Sequence, residues 1–333
     1  MANQETLKLD SIIASRRALL MGGGAVALAS AFLPKQASAA LTPSSISDAD
    51  ILNFALNLEY LEANFYYLAA YGTTIYGAAS PLTITGTGTQ GTVTTVASPK
   101  VTFTSPVIAA YCVETAIEEG RHVSFLRNAL STGAVAMPAI DLNSTTSGTG
   151  AFDKLAQAAT IGTSFNPFAS QANFLVGAYI FEDVGVTAYS GAAPLLSTAN
   201  QPSSNLQAAA SILAVEAYHA GLIRASINQL DPNNSLGLLT YTQKISATRQ
   251  LLANQTRTTS VTDDIGLSTG VTVSLAGTSA TATTVVDADA TNEVAFARST
   301  NAVLNIVTGG GALSSGTKAT GVFFPAGLNG NIA

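Results

Sequence analysis

Beyond residue 47 the chain alternates long helical patterns with stretches rich in Thr, Ser, Val and Gly. In SDADILNFALNLEYLEANFYYLAAYG, Ser47 followed by Asp50 reads as an N-cap with an acidic first turn. Leu52, Ala55, Tyr66 and Ala69 fall on a seven-residue frame, and Gly72 can stop the helix. Similar patterns predict helices over about 106–131, about 170–191, and from about 205 to just before Asp231-Pro232. Four long amphipathic helices imply a bundle. Shorter helical patterns lie around 153–159, 241–254 and 291–308. Residues 73–105 and 256–286 show the short-range alternation of strands and turns. They read as small β insertions packed together at one end of the bundle, with low-complexity linkers as the alternative. Neither contains His, Glu or Cys.

The first forty residues follow another logic. Arg16 and Arg17 precede an apolar, Gly-rich run from Ala18 to Leu33, and Ala37-Ser38-Ala39 has the small-x-small form of a signal-peptidase site. Residues 1–39 therefore read as a twin-arginine (Tat-type) export signal, placing the mature protein in the periplasm, outside the cell or on its surface. Retention as an N-terminal anchor is the alternative. With three consecutive glycines in so short a run, no stable membrane span is expected after cleavage. The expected organisation is this signal, a bundle over 47–254 carrying the 73–105 insertion, and a β/helix extension over 255–333 packed on it.

Composition narrows the partners. Charged residues are only 10% of the chain, the net charge is −6, and no basic cluster follows the leader, so nucleic acid is not expected. One cysteine excludes an internal disulfide framework. A neutral Thr/Ser/Asn surface leaves self-association into a homo-oligomer open.

The chemistry is concentrated in a few ionisable residues. The chain has only two histidines, and each follows a glutamate by three positions: Glu119 before His122, and Glu216 before His219. With nine glutamates in 333 residues, that repetition is unlike chance placement. Residues i and i+3 share a helix face, so each pair can aim two ligands at one centre. The other two long helices supply Glu59 and Glu182, each seven residues before a tyrosine, Tyr66 and Tyr189. The frame places Glu59, Glu182 and Glu216 on otherwise apolar stripes. Unpaired buried carboxylates are costly, and two divalent cations balance four of them charge for charge. Oxygen and imidazole donors suit iron or manganese, with zinc also admissible.

Glu62 shares the inner stripe, between Ala55 and Ala69, and competes with Glu59 as ligand. Gly185 occupies the equivalent place in the third helix, which favours Glu59. Glu62 can then bridge, or accept an imidazole N–H from behind a ligand. Tyr66 and Tyr189 are candidate hydrogen-bond donors to the site or ordinary core residues. Glu114 and Glu118 fall on a neighbouring face, and Cys112 reads as a small buried apolar residue. Gly120, Gly177, Gly185 and Gly221 inside helices suggest close helix approach or local bulges.

These helices resemble the ferritin-like superfamily, and more narrowly exported ferritin-like proteins of the desiccation-related family. LNLEYLEANFYYLAAYG (56–72), ETAIEEGRHVSFLRNAL (114–130), NEVAFARSTNAVLNIV (292–307) and GVFFPAGLNGNI (321–332) carry that resemblance. It implies a mainly α, ferritin-like four-helix bundle with extra C-terminal helices and small β insertions. It also implies a two-metal site built from Glu59, Glu119, His122, Glu182, Glu216 and His219. Superfamily functions run from peroxide reduction and O₂ activation to iron storage, and fold does not select among them. Three readings follow: a di-metal protein handling peroxide or O₂ in stress protection, a non-enzymatic envelope protein on the same scaffold, and metal sequestration without turnover.

Overall fold

The computed structural model describes residues 46–332 apart from 198–204, 269–270, 276–277, 283–284, 290 and 312–317, and across 269–284 the backbone alone. The expected signal segment and its twin arginines lie outside the described residues.

Helix α1 (Asp48–Tyr71) begins as its sequence predicts. The Ser47 hydroxyl accepts the Asp50 N–H, the Asp50 carboxylate accepts the Ser47 N–H, and Gly72 closes the helix at φ 76°. Ser105 caps α2 (Pro106–Leu130), whose proline at N1 lacks the N–H that would have no partner there. Short α3 (Ala151–Ala158) leads to α4 (Gln171–Ala192), capped by Ser170, and to α5 (Asn205–Leu230). Then come α6 (Leu238–Asn254) and α7 (Thr300–Val307). The C-terminal helix is shorter than its 291–308 pattern because 291–299 is turn and extended chain, ending at the cap Ser299.

Helix α1 packs along α2 and α4 along α5, and the two pairs face each other as a four-helix bundle. The molecule is mostly helical, with little strand. The α1 and α4 helices are not the amphipathic helices expected. Nearly every residue from Ile51 to Ala69 is buried, as is nearly every residue from Phe174 to Thr187. A helix apolar all round is a helix covered all round, and here α3, α6, α7 and the C-terminal tail supply the cover. Phe323 of the tail sits 4.9 Å from Phe181 and 5.3 Å from Phe152, ring centre to ring centre. Asn329 exchanges two hydrogen bonds with Asn57 of α1 and donates to the carbonyls of Thr89 and Ala136. The tail thus ties α1 to the first insertion and to the loop after α2. Helix α5 is long and apolar enough to cross a membrane by length and composition, but it carries buried Glu216, His219 and Arg224 against its neighbours.

The insertions do not pair with each other in the described strands. Strand β1 (Val93–Thr95) pairs in parallel with β2 (Ile140–Leu142), which follows α2. Strands β3 (Val271–Leu275) and β4 (Thr278–Ala282) form their own antiparallel hairpin.

The second insertion brings charges whose role the sequence pattern does not disclose. Asp263 and Asp264 join Asp183 of α4 in a buried network with Arg224, Arg249 and Arg298, each arginine only 1% exposed. Arg249 reaches Asp183 at 2.9 Å and Asp264 at 2.7 Å, while Arg298 reaches Asp263 and Asp264 at 2.9 Å. Arg224 closes on Asp183 at 3.0 Å. Breaking such a network from one side strands a buried charge. Arg249→Met is expected to cost about 3–5 kcal/mol, seen as a lowered midpoint in denaturant unfolding.

Asp287 borders this network, with its Oδ2 unpaired and its Oδ1 accepting the Ile265 N–H at 2.7 Å. Burial, then the charges of Asp183 and Asp264, push its carboxyl up to about 8 despite Arg224. The folded protein therefore keeps a proton that the unfolded chain releases near 3.8. The associated stability is complete below that pH and is lost as pH rises through about 8. Asp287→Asn keeps the acceptor and removes the titration. Its thermal midpoint should gain on wild type as pH rises from about 5 to about 9, and parallel curves would overturn the assignment.

Candidate metal centre

Each pair of the bundle brings three of the predicted residues inward. Helix α1 provides Glu59 and α2 provides Glu119 and His122; α4 provides Glu182, and α5 provides Glu216 and His219. Their donor atoms converge in two groups, Glu59–Glu119–His122–Glu216 and Glu119–Glu182–His219, with the atoms of each group within 4.8 Å of one another. His122 Nδ1 lies 3.2 Å from Glu59, 3.6 Å from Glu216 and 3.7 Å from Glu119. His219 Nδ1 lies 3.0 Å from Glu119 and 3.5 Å from Glu182. Glu119 belongs to both groups, one oxygen directed to each imidazole, and so holds the bridging place between them.

Two tyrosines tie the pairs across the bundle. The Tyr66 hydroxyl on α1 donates to Glu182 on α4, and the Tyr189 hydroxyl on α4 donates to Glu59 on α1. The repeated Glu-x6-Tyr frame therefore works crosswise, each tyrosine serving the other helix's glutamate. One oxygen of each glutamate is thereby engaged, leaving the other for the centre.

Eight buried atoms of these six residues have no hydrogen bond: Glu59 Oε2, both oxygens of Glu119 and of Glu216, Glu182 Oε2, and Nδ1 of both histidines. Buried polar atoms are nearly always hydrogen-bonded, so a concentrated set of exceptions calls for a missing partner. A cation is the partner that lone pairs on oxygen and imidazole nitrogen share. The buried groups can hold metal ions.

The electrostatics of the groups without a cation show the same conflict. Burial first, with the neighbouring carboxylates, raises Glu216 and Glu62 well above the usual range. Burial also raises Glu182 and pushes Glu59 up to about 7, opposed by the charges of His219 and His122. Burial would raise Glu119 too, but the two imidazoles close beside it outweigh it and hold Glu119 low. Burial opposes charge on His122, yet Glu59 and Glu119 push it up to about 12. His219 is raised likewise by Glu182 and Glu119.

A model of the ferritin-like domain matches residues 47–229, more than half of the chain. The chain belongs to the ferritin-like family. It is also similar to the desiccation-related protein PCC13-62 of Craterostigma plantagineum, 32% identical over 217 residues. That match covers 63% of this chain and 63% of the relative, so the chain spans less than two thirds of the relative's length. No solved structure matches the chain.

In this ferritin-like bundle Glu59 joins a donor group and Glu62 joins neither. Glu62 does not accept an imidazole N–H either. That role falls to Glu118, whose Oε2 lies 2.8 Å from His219 Nε2. A carboxylate can only accept, so Nε2 carries a proton, and it is Nδ1 that offers its lone pair to the centre once its own proton is displaced. Glu118 lies at the edge of the site, its side chain 36% exposed. Helical spacing within α2 alone does not reveal it, because the contact crosses to α5. Cys112 is buried as expected, and its thiol is raised by desolvation.

The helical glycines divide. A Cβ at Gly185 would fall 2.2 Å from Glu216 Oε2, so this residue makes room for a ligand rather than for a helix. Gly177 admits Pro167 and Phe65, whereas Gly221 faces open space and the close-approach reading fails there. Gly185→Ala must displace the Glu216 carboxylate. It is expected to weaken metal uptake about 10–100-fold, the range for disturbed ligand positioning, with helical circular dichroism unchanged.

Proposed function

We propose that this chain is an exported di-metal carboxylate protein that handles peroxide or O₂ in stress protection, with two ions of iron or manganese. The observation that carries the reading is the set of eight unpartnered buried donor atoms on Glu59, Glu119, His122, Glu182, Glu216 and His219. Glu59, Glu119, His122 and Glu216 would hold one ion, and Glu119, Glu182 and His219 the other. Four carboxylates match the charge of two divalent ions, and mixed oxygen and imidazole donors suit iron or manganese. Such an ion pair supplies Lewis acidity and redox equivalents for small oxygen species.

The protein's own part is positioning. Tyr66 and Tyr189 hold Glu182 and Glu59 in orientation, Glu118 sets the His219 tautomer, and Gly185 leaves Glu216 its space. A role in stress protection is supported by the similarity to a protein named for desiccation. Export rests on the twin arginines and the Ala37-Ser38-Ala39 site.

The test is metal content after purification without added metal, beside a His122→Ala/His219→Ala double variant. About two equivalents of iron or manganese are expected, with loss of both and a lower thermal midpoint in the variant. Well below one equivalent, with an unchanged midpoint in the variant, would overturn the reading. Because binding must displace protons from the imidazoles, uptake should weaken as pH falls, and proton release on loading is measurable with a pH indicator. Peroxide turnover by the loaded protein is the assay that follows.

A further inference from the structure

Behind the metal centre lies a cavity of about 250 Å³. Leu58 and Leu61 of α1, Ile180 and Val184 of α4, Ile245 of α6 and Ile306 of α7 make its aliphatic walls. Its rim includes Lys154 and Ala158 of α3, both exposed. Natural cores leave few voids larger than a water molecule, so an opening of this size is not ordinary packing. Little in it would hold water. The Arg249 guanidinium in its wall is committed to Asp183, Asp264, Ser246 and the carbonyls of Tyr179 and Ile180.

The inner end of the cavity decides its meaning. Glu62 and Gly185 both line it. Gly185 also packs directly on the centre: the space a Cβ would take there is filled by Glu216, whose Oε2 lies 2.2 Å from that position, with Glu62 Oε1 at 3.5 Å. An apolar chamber thus abuts a candidate ligand of the centre at a residue with no side chain. Elsewhere the bundle is filled by interlocking Phe, Leu and Ile side chains.

We infer that this cavity binds a small, predominantly apolar molecule, an aromatic of one or two fused rings with a short polar substituent, and presents one end of it to the metal centre beside Glu62. The size fits: an engineered aliphatic cavity of about 150 Å³ already takes up benzene. Glu62, buried at the inner end, is the one carboxyl available there to meet a polar atom on the ligand. Presentation to metal rests on the reading of the centre given above, whereas occupancy of the cavity does not.

The test uses 2-naphthol as probe, titrated calorimetrically into the metal-free protein, into Ala158→Trp and into Ile306→Phe. The first variant covers the rim from an exposed position and the second fills the interior. Saturable one-site binding to wild type, weakened at least tenfold in both folded variants, is expected. No saturable binding, or equal binding by wild type and both variants, would sink the cavity assignment. In a second arm, proton relaxation of bound 2-naphthol is compared in Mn²⁺-loaded and Zn²⁺-loaded protein. Strong enhancement with Mn²⁺ alone is the expected sign of proximity, and equal relaxation in the two overturns presentation to the centre. A protein that takes up neither ion defeats the metal-centre reading and presentation with it, while the calorimetry on metal-free protein still decides the cavity.

Discussion

Four carboxylates and two imidazoles share the inside of one helical bundle, and almost everything else about the structure accommodates that fact. Carboxylates this close and this dry repel one another and lose their hydration. Single hydrogen bonds from Tyr66 and Tyr189 satisfy one oxygen each on Glu182 and Glu59. The rest of the donor set faces inward without partners. A bundle core can hold such a set only if opposite charge enters it. Two divalent ions meet that need more completely than protons do, because protons would neutralise the donors singly and leave the lone pairs of the set unshared.

Holding six donors in register requires rigid helices, and the rest of the chain supplies the rigidity. Asp183, one residue beyond the candidate ligand Glu182, is gripped by Arg224 and Arg249, which connect α4 to α5 and α6. Asp264 and Arg298 extend the same network through the second insertion to the start of α7. On the opposite flank, Asn57 lies two residues before Glu59 and is held by Asn329 of the tail. The C-terminal segment therefore braces α1 and α4 next to their candidate ligands, and the aromatic contacts of Phe323 with Phe152 and Phe181 seal it on. The Thr-rich insertions take part through backbone pairing and through Asp263 and Asp264, with no ligand of their own.

Gly185 links the centre to its surroundings in the most economical way. Its lack of a side chain admits the Glu216 carboxylate, and the same residue lines the apolar cavity. Peroxide and O₂ are small and need no such chamber. A cavity of about 250 Å³ against the centre therefore widens the chemistry worth testing from small oxygen species alone to an apolar molecule held beside them.

By itself the sequence determined the helices, the bundle and the six converging donors. Those follow from local rules: Ser47 and Ser105 cap, Gly72 and Asp231-Pro232 stop, and Glu-x-x-His aims two ligands from one helix face. Tertiary structure alone decided how the donors divide. Glu119 falls in both donor groups, Glu59, which the sequence only favoured over Glu62, joins the group around His122, and Glu118 meets His219. It also decided which segments cover α1 and α4 on all sides, a cover their apolar patterns require but do not identify. The cavity and the arginine–aspartate network belong to the same class, being assembled from residues more than a hundred positions apart in the chain. Periodicity reports which face of a helix is apolar. Which charge meets which across a bundle depends on how faces from distant segments come together, and no single segment carries that information.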